Sequence, residues 1–406
     1  MYLNFAWRYF NAKKSANAIN IIAWVTTGVI AFATCCQILV LSVYNGFEDL
    51  VKSLYSSFYT DLKIVPETGK TFFLSPDKIK QLKNIHQISG ISFIAEEKAL
   101  LQNGAFQSVI QLKGVDNNFN NVSGLPKRIT KGNFNIGNAE NPLMVVGSGV
   151  QYASGIRLSN EFGEEKMAVI LPKSRVSDND PLQSLSEGII SPAGVFSVQQ
   201  EFDNAYAITN IDFVKQQTGL SNDEYAAAEI KLLNEKDVVL VKKEILKILG
   251  EGFVVKNRYQ QNSNLYNTME TEKWVIYAVL TLILIIAAFN MLSSLTMLVL
   301  EKKQDISILQ SMGASSLQIK KIFLSEGLLL GSIGTFIGVI TASVICYLQV
   351  TFKFIKIGGA SFLIDYFPVK FLAVDYIIVI STAMLIVMIS SWAPAAKASR
   401  QSLELK

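Results

Sequence analysis

The chain has 406 residues, half of them apolar and 17% charged, with a net charge of only +4. With a mean hydropathy of +0.32, that composition fits a chain partly embedded in a membrane. So small a positive balance gives no support to nucleic-acid binding.

No charged side chain occurs from Ser15 to Phe47, Trp274 to Leu300, Gly327 to Phe352 or Tyr376 to Ala396. Each run meets the roughly 20 apolar residues that a spanning helix needs. Lipid offers backbone groups no partner, so the runs read as helices. The expected fold class is a membrane α-helical protein with four transmembrane helices and a large α+β extracytoplasmic domain inserted between helices one and two. In chain order the sequence predicts an interfacial elbow helix (1–18), transmembrane helix one (19–47) and the outer domain (48–273). Helix two (274–300), a cytoplasmic coupling segment (301–321), helix three (322–350), a short outer loop (351–371), helix four (372–393) and a cytoplasmic tail (394–406) follow. The first run is too long for a signal peptide and shows no small-residue cleavage site, so it is expected to remain as an anchor.

Orientation follows from the basic residues near the helix ends. Arg8, Lys13 and Lys14 precede helix one. Lys302, Lys303, Lys320 and Lys321 fill the turn between helices two and three, and Lys397, Arg400 and Lys406 follow helix four. These segments are expected in the cytoplasm, which places 48–273 outside. The cysteines, Cys35, Cys36 and Cys346, all lie in apolar runs. The outer domain therefore has no disulfide framework, and small apolar packing is the preferred reading of the thiols.

Within the outer domain, Asp61–Val65, Gly90–Glu96, Ser108–Lys113, Met167–Leu171, Gly194–Val198 and Ala228–Leu232 read as strands. Ser75-Pro76-Asp77 opens a helix through Leu82, with Ser75 as cap, and Val238–Leu249 reads as a second, stopped by Gly250. Lys173–Gly188 has no usable period and is expected to be a long exposed loop. The halves on either side of residue 140 are candidates for separate subdomains.

Residues 301–321 carry the most informative polar pattern. Met312-Gly313 stops one helix, and Ser315 with Gln318 forms a capping box for the next. Ile306, Leu309 and Met312 recur every third residue, an apolar stripe on a charged turn. It suits either docking in a groove of another protein or packing on its own bundle. In helix three, Gly327, Gly331, Gly334 and Gly338 share one face and admit a close neighbour: a sliding or dimer contact, or packing within the subunit. Val40, Val43, Tyr44 and Phe47 form an apolar-aromatic face where helix one leaves the membrane. That face either packs on helix two or lines a path for substrate, with Asn45-Gly46 loosening the join to the outer domain.

Enzymatic motifs are missing from the sequence. Gly69-Lys70-Thr71 lacks the leading glycine of a phosphate loop, since position 64 is Ile. His86 is the only histidine, which excludes a histidine-based metal site. No ionisable residue is expected inside any span, so a proton or ion path has no candidate carriers. Gln37 and Asn290 are expected to serve polar contacts between helices.

Several stretches resemble lipoprotein-release ABC transporter permeases of the LolC/LolE type, within the FtsX/MacB-like permease superfamily. They are Arg8-Tyr9-Phe10 with the following lysines, and Leu41-Ser42-Val43 with Asn45-Gly46-Phe47-Glu48. Ala287-Ala288-Phe289-Asn290-Met291, Leu298-Val299-Leu300-Glu301-Lys302-Lys303 and Asp305 through Ser315 follow the same pattern, as does Pro394-Ala395 with Lys397 through Arg400.

The resemblance implies a non-enzymatic membrane subunit that pairs with a second permease subunit, a copy of itself or a related paralogue. A separate LolD-like ATPase subunit would bind the ATP and Mg, leaving this chain without a cofactor or a metal. Lipoproteins would be extracted from the inner membrane and handed to a periplasmic carrier. Glu301, Lys302, Lys303, Asp305, Ile306, Leu309, Met312, Gly313, Ala314 and Ser315 correspond to the ATPase-coupling element. Val40, Val43, Tyr44 and Phe47 are the candidate lipoprotein path, and Arg175, Asp178, Asp180, Pro181 and Leu182 the candidate carrier-binding loop. The alternatives are an FtsX-like regulator of a cell-wall hydrolase, or an export permease for another lipid or peptide.

Overall fold

A computed structural model of the chain describes residues 17–158, 165–174, 184–357 and 365–400. The chain forms two compact units, Val51–Tyr266 and Met1–Leu50 with Asn267–Lys406. The expected elbow helix, with Arg8, Tyr9, Phe10, Lys13 and Lys14, lies almost wholly outside the described residues. So do Arg175, Asp178, Asp180, Pro181 and Leu182.

The first helix, α1 (Asn17–Phe58), has 42 residues without a break, a length of about 63 Å. Asn45 and Gly46 lie within this helix, and at Gly46 the Pro368 backbone lies where a Cβ would stand.

The residue 51–266 unit contains β1 (Leu62–Pro66), β2 (Phe72–Phe73), α2 (Pro76–Lys83), β3 (Ile88–Asn103), β4 (Phe106–Val115) and β5 (Ile129–Gly132). β6 (Leu143–Gly147), β7 (Met167–Pro172), β8 (Leu185–Phe196), β9 (Tyr206–Asn210), α3 (Ile211–Thr218) and β10 (Glu224–Tyr225) come next. β11 (Ala227–Leu232), α4 (Val238–Leu249) and β12 (Phe253–Asn257) follow, with short helical turns between several of these elements. Ser75 caps α2 by accepting from Lys78 N, with Pro76 in the first turn, as the sequence predicts.

The main sheet runs β12-β1-β11-β3-β4-β9-β6-β8-β5, and β7 pairs with both β3 and β8. Strands β3, β4, β9, β6, β8 and β7 therefore close into a ring. Because β4 pairs with β9 and β3 with β7, the halves about residue 140 are not separate subdomains. β3 extends well past Glu96-Glu97-Lys98, where alternation is lost. Its charges are answered across the sheet: Glu97 lies 2.9 Å from Lys70 and Glu96 lies 3.9 Å from Lys63. Residues 185–188 of the expected loop also belong to a strand, because β8 begins at Leu185 and pairs with β7.

Successive residues of β3 feed opposite faces, as a pleated strand requires. Ile91, Phe93, Ala95, Ala99 and Leu101 enter one core with Val241, Ile245 and Leu249 of α4. Ile94 enters another with Phe119, Phe196 and Phe202, and with Tyr55 and Phe58 from the last turn of α1. Between the aromatic rings lies a buried ion pair, Lys113 to Glu229 at 2.6 Å. The ammonium stands 4.9 Å from the Phe58 ring centre and 5.1 Å from that of Phe119. Burial pushes the neighbouring Tyr59 hydroxyl up to about 12, so it stays neutral at physiological pH.

The other unit adds α5 (Ser263–Glu301), α6 (Lys303–Ser311), α7 (Ser316–Phe352) and α8 (Ala373–Ser399). With α1, three of these are long and apolar enough to cross a membrane: α5, α7 and α8. The glycine stripe of α7 meets two partners. Gly327 and Gly331 face Ser391 and Val387 of α8, whereas Gly334 and Gly338 face Thr27, Ala31 and Thr34 of α1. All four contacts are internal packing.

Two expectations about polar residues need correction. Gln37 does reach between helices, its amide donating to Thr281 Oγ1 at 3.2 Å. Asn290, however, is exposed on the outward side of α5. Nor is the bundle free of ionisable groups, because Glu326 of α7 is 3% exposed. It lies within the expected helix three (322–350), just before the uncharged run that begins at Gly327. The helix starts ten residues earlier and carries it inside.

Candidate functional site

The coupling element is built by two local signals. Gly313 adopts φ +94°, a left-handed conformation open to glycine at no steric cost, and this ends α6. Ser315 then accepts from Gln318 N while the Gln318 side chain caps Ser315 N. That closes the capping box expected from the sequence and starts α7. α5 gives way to α6 at Lys302, with Lys302 Nζ 3.2 Å from Asp305.

The expected apolar stripe is split. Ile306 is 2% exposed and packs on Leu298, Val299, Ile319, Phe323, Ala395 and Ala398 of its own bundle. Leu309 is half-buried. Met312 is 79%, Ile308 58% and Leu317 62% exposed. Packing on its own bundle is realised at Ile306, which anchors the turn, and Met312, Ile308 and Leu317 leave an apolar surface exposed. Leu317 escapes a sequence reading because the three-residue spacing ends at Met312. Glu301, Lys303 and Ser315 are exposed around this surface, and Ala314 is half-buried.

At the opposite end of the bundle, the candidate path residues divide as well. Val40 is exposed, and Val43 is half-buried. The Tyr44 hydroxyl donates to Met269 O on α5 at 2.5 Å, and the Phe47 ring meets Phe367 edge-on at 5.8 Å. A polar clamp fixes the same region. Asn45 Nδ2 donates to Asp375 Oδ2 at 2.5 Å, and Lys273 Nζ lies 3.0 Å from Asp375 Oδ1. Lys370 pairs with Asp49 and donates its backbone N–H to Ser42 O. Asp375 lies inside the expected helix four (372–393), and its clamp role was not legible because its partners lie more than a hundred residues away in sequence.

The Gly69-Lys70-Thr71 segment is a surface turn in the structure: Lys70 is held by Glu97 and Thr71 donates to Glu224 at 2.7 Å.

Residues 277–403 match the family described as FtsX-like permease C-terminal. The chain is 24% identical over 417 aligned residues to the lipoprotein-releasing system transmembrane protein LolE of Haemophilus influenzae, covering 97% of this chain and 96% of that one. It is 26% identical over 388 residues to LolC of Neisseria meningitidis, covering 89% and 88%, and 23% identical to LolC of Xylella fastidiosa, covering 97% and 95%. The periplasmic region of MacB from Actinobacillus actinomycetemcomitans aligns at 15% identity and a TM-score of 0.36, covering 51% of this chain and 92% of that one. Over nearly its whole length the chain is similar to LolC and LolE lipoprotein-releasing system transmembrane proteins, and its C-terminal part to the FtsX-like permease family.

Proposed function

We propose that the chain is the permease subunit of an ABC transporter that extracts lipoproteins from the inner membrane and passes them to a periplasmic carrier. ATP hydrolysis by a separate subunit drives the step. The observation that carries this reading is the coupling turn: Ile308, Met312 and Leu317 stand exposed on a turn fixed by Ile306 and a capping box. An apolar surface held rigidly among charged residues suits a partner groove. Extraction needs such a drive, since each CH₂ of an acyl chain costs about 0.8 kcal/mol in water. Proteoliposomes holding the chain, its ATPase and a lipoprotein should release the lipoprotein to a soluble carrier only with ATP. Release that is independent of ATP, or absent while ATP is hydrolysed, sinks the reading in favour of regulation or another substrate.

A second permease subunit has a surface to cover. Of the four spans, α5 is the least buried, and its outward side carries Asn290. A carboxamide in mid-span is poorly solvated by hydrocarbon and bonds across helices where it finds a partner. The inner-membrane placement keeps the loops with Lys302, Lys303, Lys320 and Lys321 in the cytoplasm and residues 51–266 in the periplasm. Single cysteines at Ser174 and Ser315, both exposed, in a background without Cys35, Cys36 and Cys346, should label from opposite sides of intact membrane. Labelling from one side overturns this orientation.

The lipoprotein path is proposed along Val40 and Phe47, with Tyr44 holding α1 to α5 at its edge. Photo-crosslinkers at Val40 and Phe47 should capture lipoprotein before ATP is added and lose it after turnover. Crosslinks confined to the permease, with and without ATP, would reduce these residues to packing.

A further inference from the structure

α5 is held to the bundle differently in its two halves. From Leu284 inward, Leu284, Ala287, Met291, Leu295 and Val299 are buried in the apolar clusters of the bundle. From Asn267 to Ile283 no side chain is buried. Met269, Lys273, Ile276, Tyr277, Leu280 and Thr281 are half-buried there and recur at helical spacing. Polar bonds join this outer half to its neighbours. The Tyr44 hydroxyl of α1 donates to Met269 O at 2.5 Å, and Gln37 of α1 donates to Thr281 Oγ1 at 3.2 Å. Lys273 Nζ lies 3.0 Å from Asp375 of α8, and the Tyr277 hydroxyl shares a hydrogen bond with that of Thr382 on α8.

The other three helices have no such loosely seated half. Gly334 and Gly338 of α7 admit Thr27, Ala31 and Thr34 of α1, and Gly327 and Gly331 admit Ser391 and Val387 of α8. The segment before α8 is laid along α1: Lys370 N–H donates to Ser42 O at 3.0 Å, and the Pro368 backbone fills the space beside Gly46. Parting these helices unseats contacts that only closely approaching backbones make. Parting the outer half of α5 exchanges polar bonds that are individually weak between membrane helices. The closed arrangement also leaves one group unanswered. Asn45, 2% exposed, donates to Asp375, while its Oδ1 has no hydrogen-bond partner among the described residues. A buried acceptor without a partner opposes the closed form, and water reaches it once Lys273 moves away. We propose that residues 267–283 form an arm that swings from α1 and α8 on the packed inner half of α5, latched shut by Gln37, Tyr44, Asp375 and Thr382. A latched arm gives ATP-driven movement two discrete positions to select between. The inference rests on the functional reading for its use: Tyr44 stands beside Val40 and Phe47 on α1, so an open arm widens the proposed lipoprotein path.

The first test needs only the purified full-length chain in lipid nanodiscs, in a background without Cys35, Cys36 and Cys346. Spin labels at Thr271→Cys and Val374→Cys, both exposed, report the outer distance between α5 and α8. Labels at Leu300→Cys and Trp392→Cys, also exposed, report the inner one. Lys273→Ala with Tyr277→Phe should move at least half of the outer pair to a longer distance and leave the inner pair as in the parent. The exchange Lys273→Asp/Asp375→Lys keeps an ion pair and offers the new lysine the Asn45 acceptor, so it should restore the parent distance. An outer distance unchanged by the first variant, or both pairs moving together, overturns the arm. An exchanged pair that stays open overturns the latch. In the reconstituted transporter, a short thiol-bridging reagent across Gln37→Cys/Thr281→Cys should keep the ATPase subunit bound but reduce release at least tenfold. The same bridge across Ser332→Cys/Met384→Cys, where α7 meets α8 at 3.6 Å, should keep at least half of it. Release that survives the first bridge overturns the arm's use. Should the parent itself fail to release lipoprotein, the functional reading falls while the label distances still decide the arm.

Discussion

Replacing Ile308 and Met312 together by Asp should abolish co-purification of the ATPase subunit while the permease still inserts and melts normally. Both side chains are exposed in the isolated chain, 58% and 79%, so the fold loses little. At an interface each is worth about 1.5–3 kcal/mol of burial, and two carboxylates forced into an apolar groove add to the loss. A deficit of about 3 kcal/mol or more is a hundredfold or greater in Kd, enough to empty a pull-down. Ile306→Asp gives the contrast. Ile306 is 2% exposed, so its substitution should lower the melting temperature as well. Active ATPase retained by the Ile308→Asp/Met312→Asp variant would end the docking proposal.

The largest stability effect is expected in the outer domain. Glu229→Ala strands the Lys113 ammonium inside the core, where it is 1% exposed. Breaking a buried pair from one side costs about 3–5 kcal/mol, a fall of about 10 °C for a domain of this size. Removing both charges, as Lys113→Met/Glu229→Leu, should recover most of the loss, because the penalty belongs to the unpaired ion. A Glu229→Ala domain that melts within 2 °C of the parent, by roughly the scale above, would show the pair to be dispensable.

The membrane spans and the coupling turn were legible because their signals are local: uncharged runs, a glycine stop, a capping box. α4 was legible for the same reason, its apolar residues falling at helical spacing. β3 was cut short in the sequence reading because Glu96-Glu97-Lys98 interrupts alternation, and the lysines that answer those charges come from elsewhere in the chain. The exposure of Asn290 and the burial of Glu326 and Asp375 were hidden for a related reason. Each depends on which way a helix face turns, and residue type alone does not carry that. The split of Ile306 from Met312 shows the same limit. Equal spacing put both on one stripe, and the supporting helices decided which end of it was covered.

The closed ring of strands bears on how the outer domain recognises other proteins. A strand already paired on both sides has no row of free N–H and C=O groups to offer, so an extended peptide cannot join it. The path of the sheet ends at β12 and β5. β5 is only four residues long and carries Lys131, while β12 carries Lys256 and is followed by Arg258. Short, basic edges discourage accidental pairing between neighbouring copies crowded on one membrane. The ring strands thus leave side chains on sheet faces and loops as their exposed features.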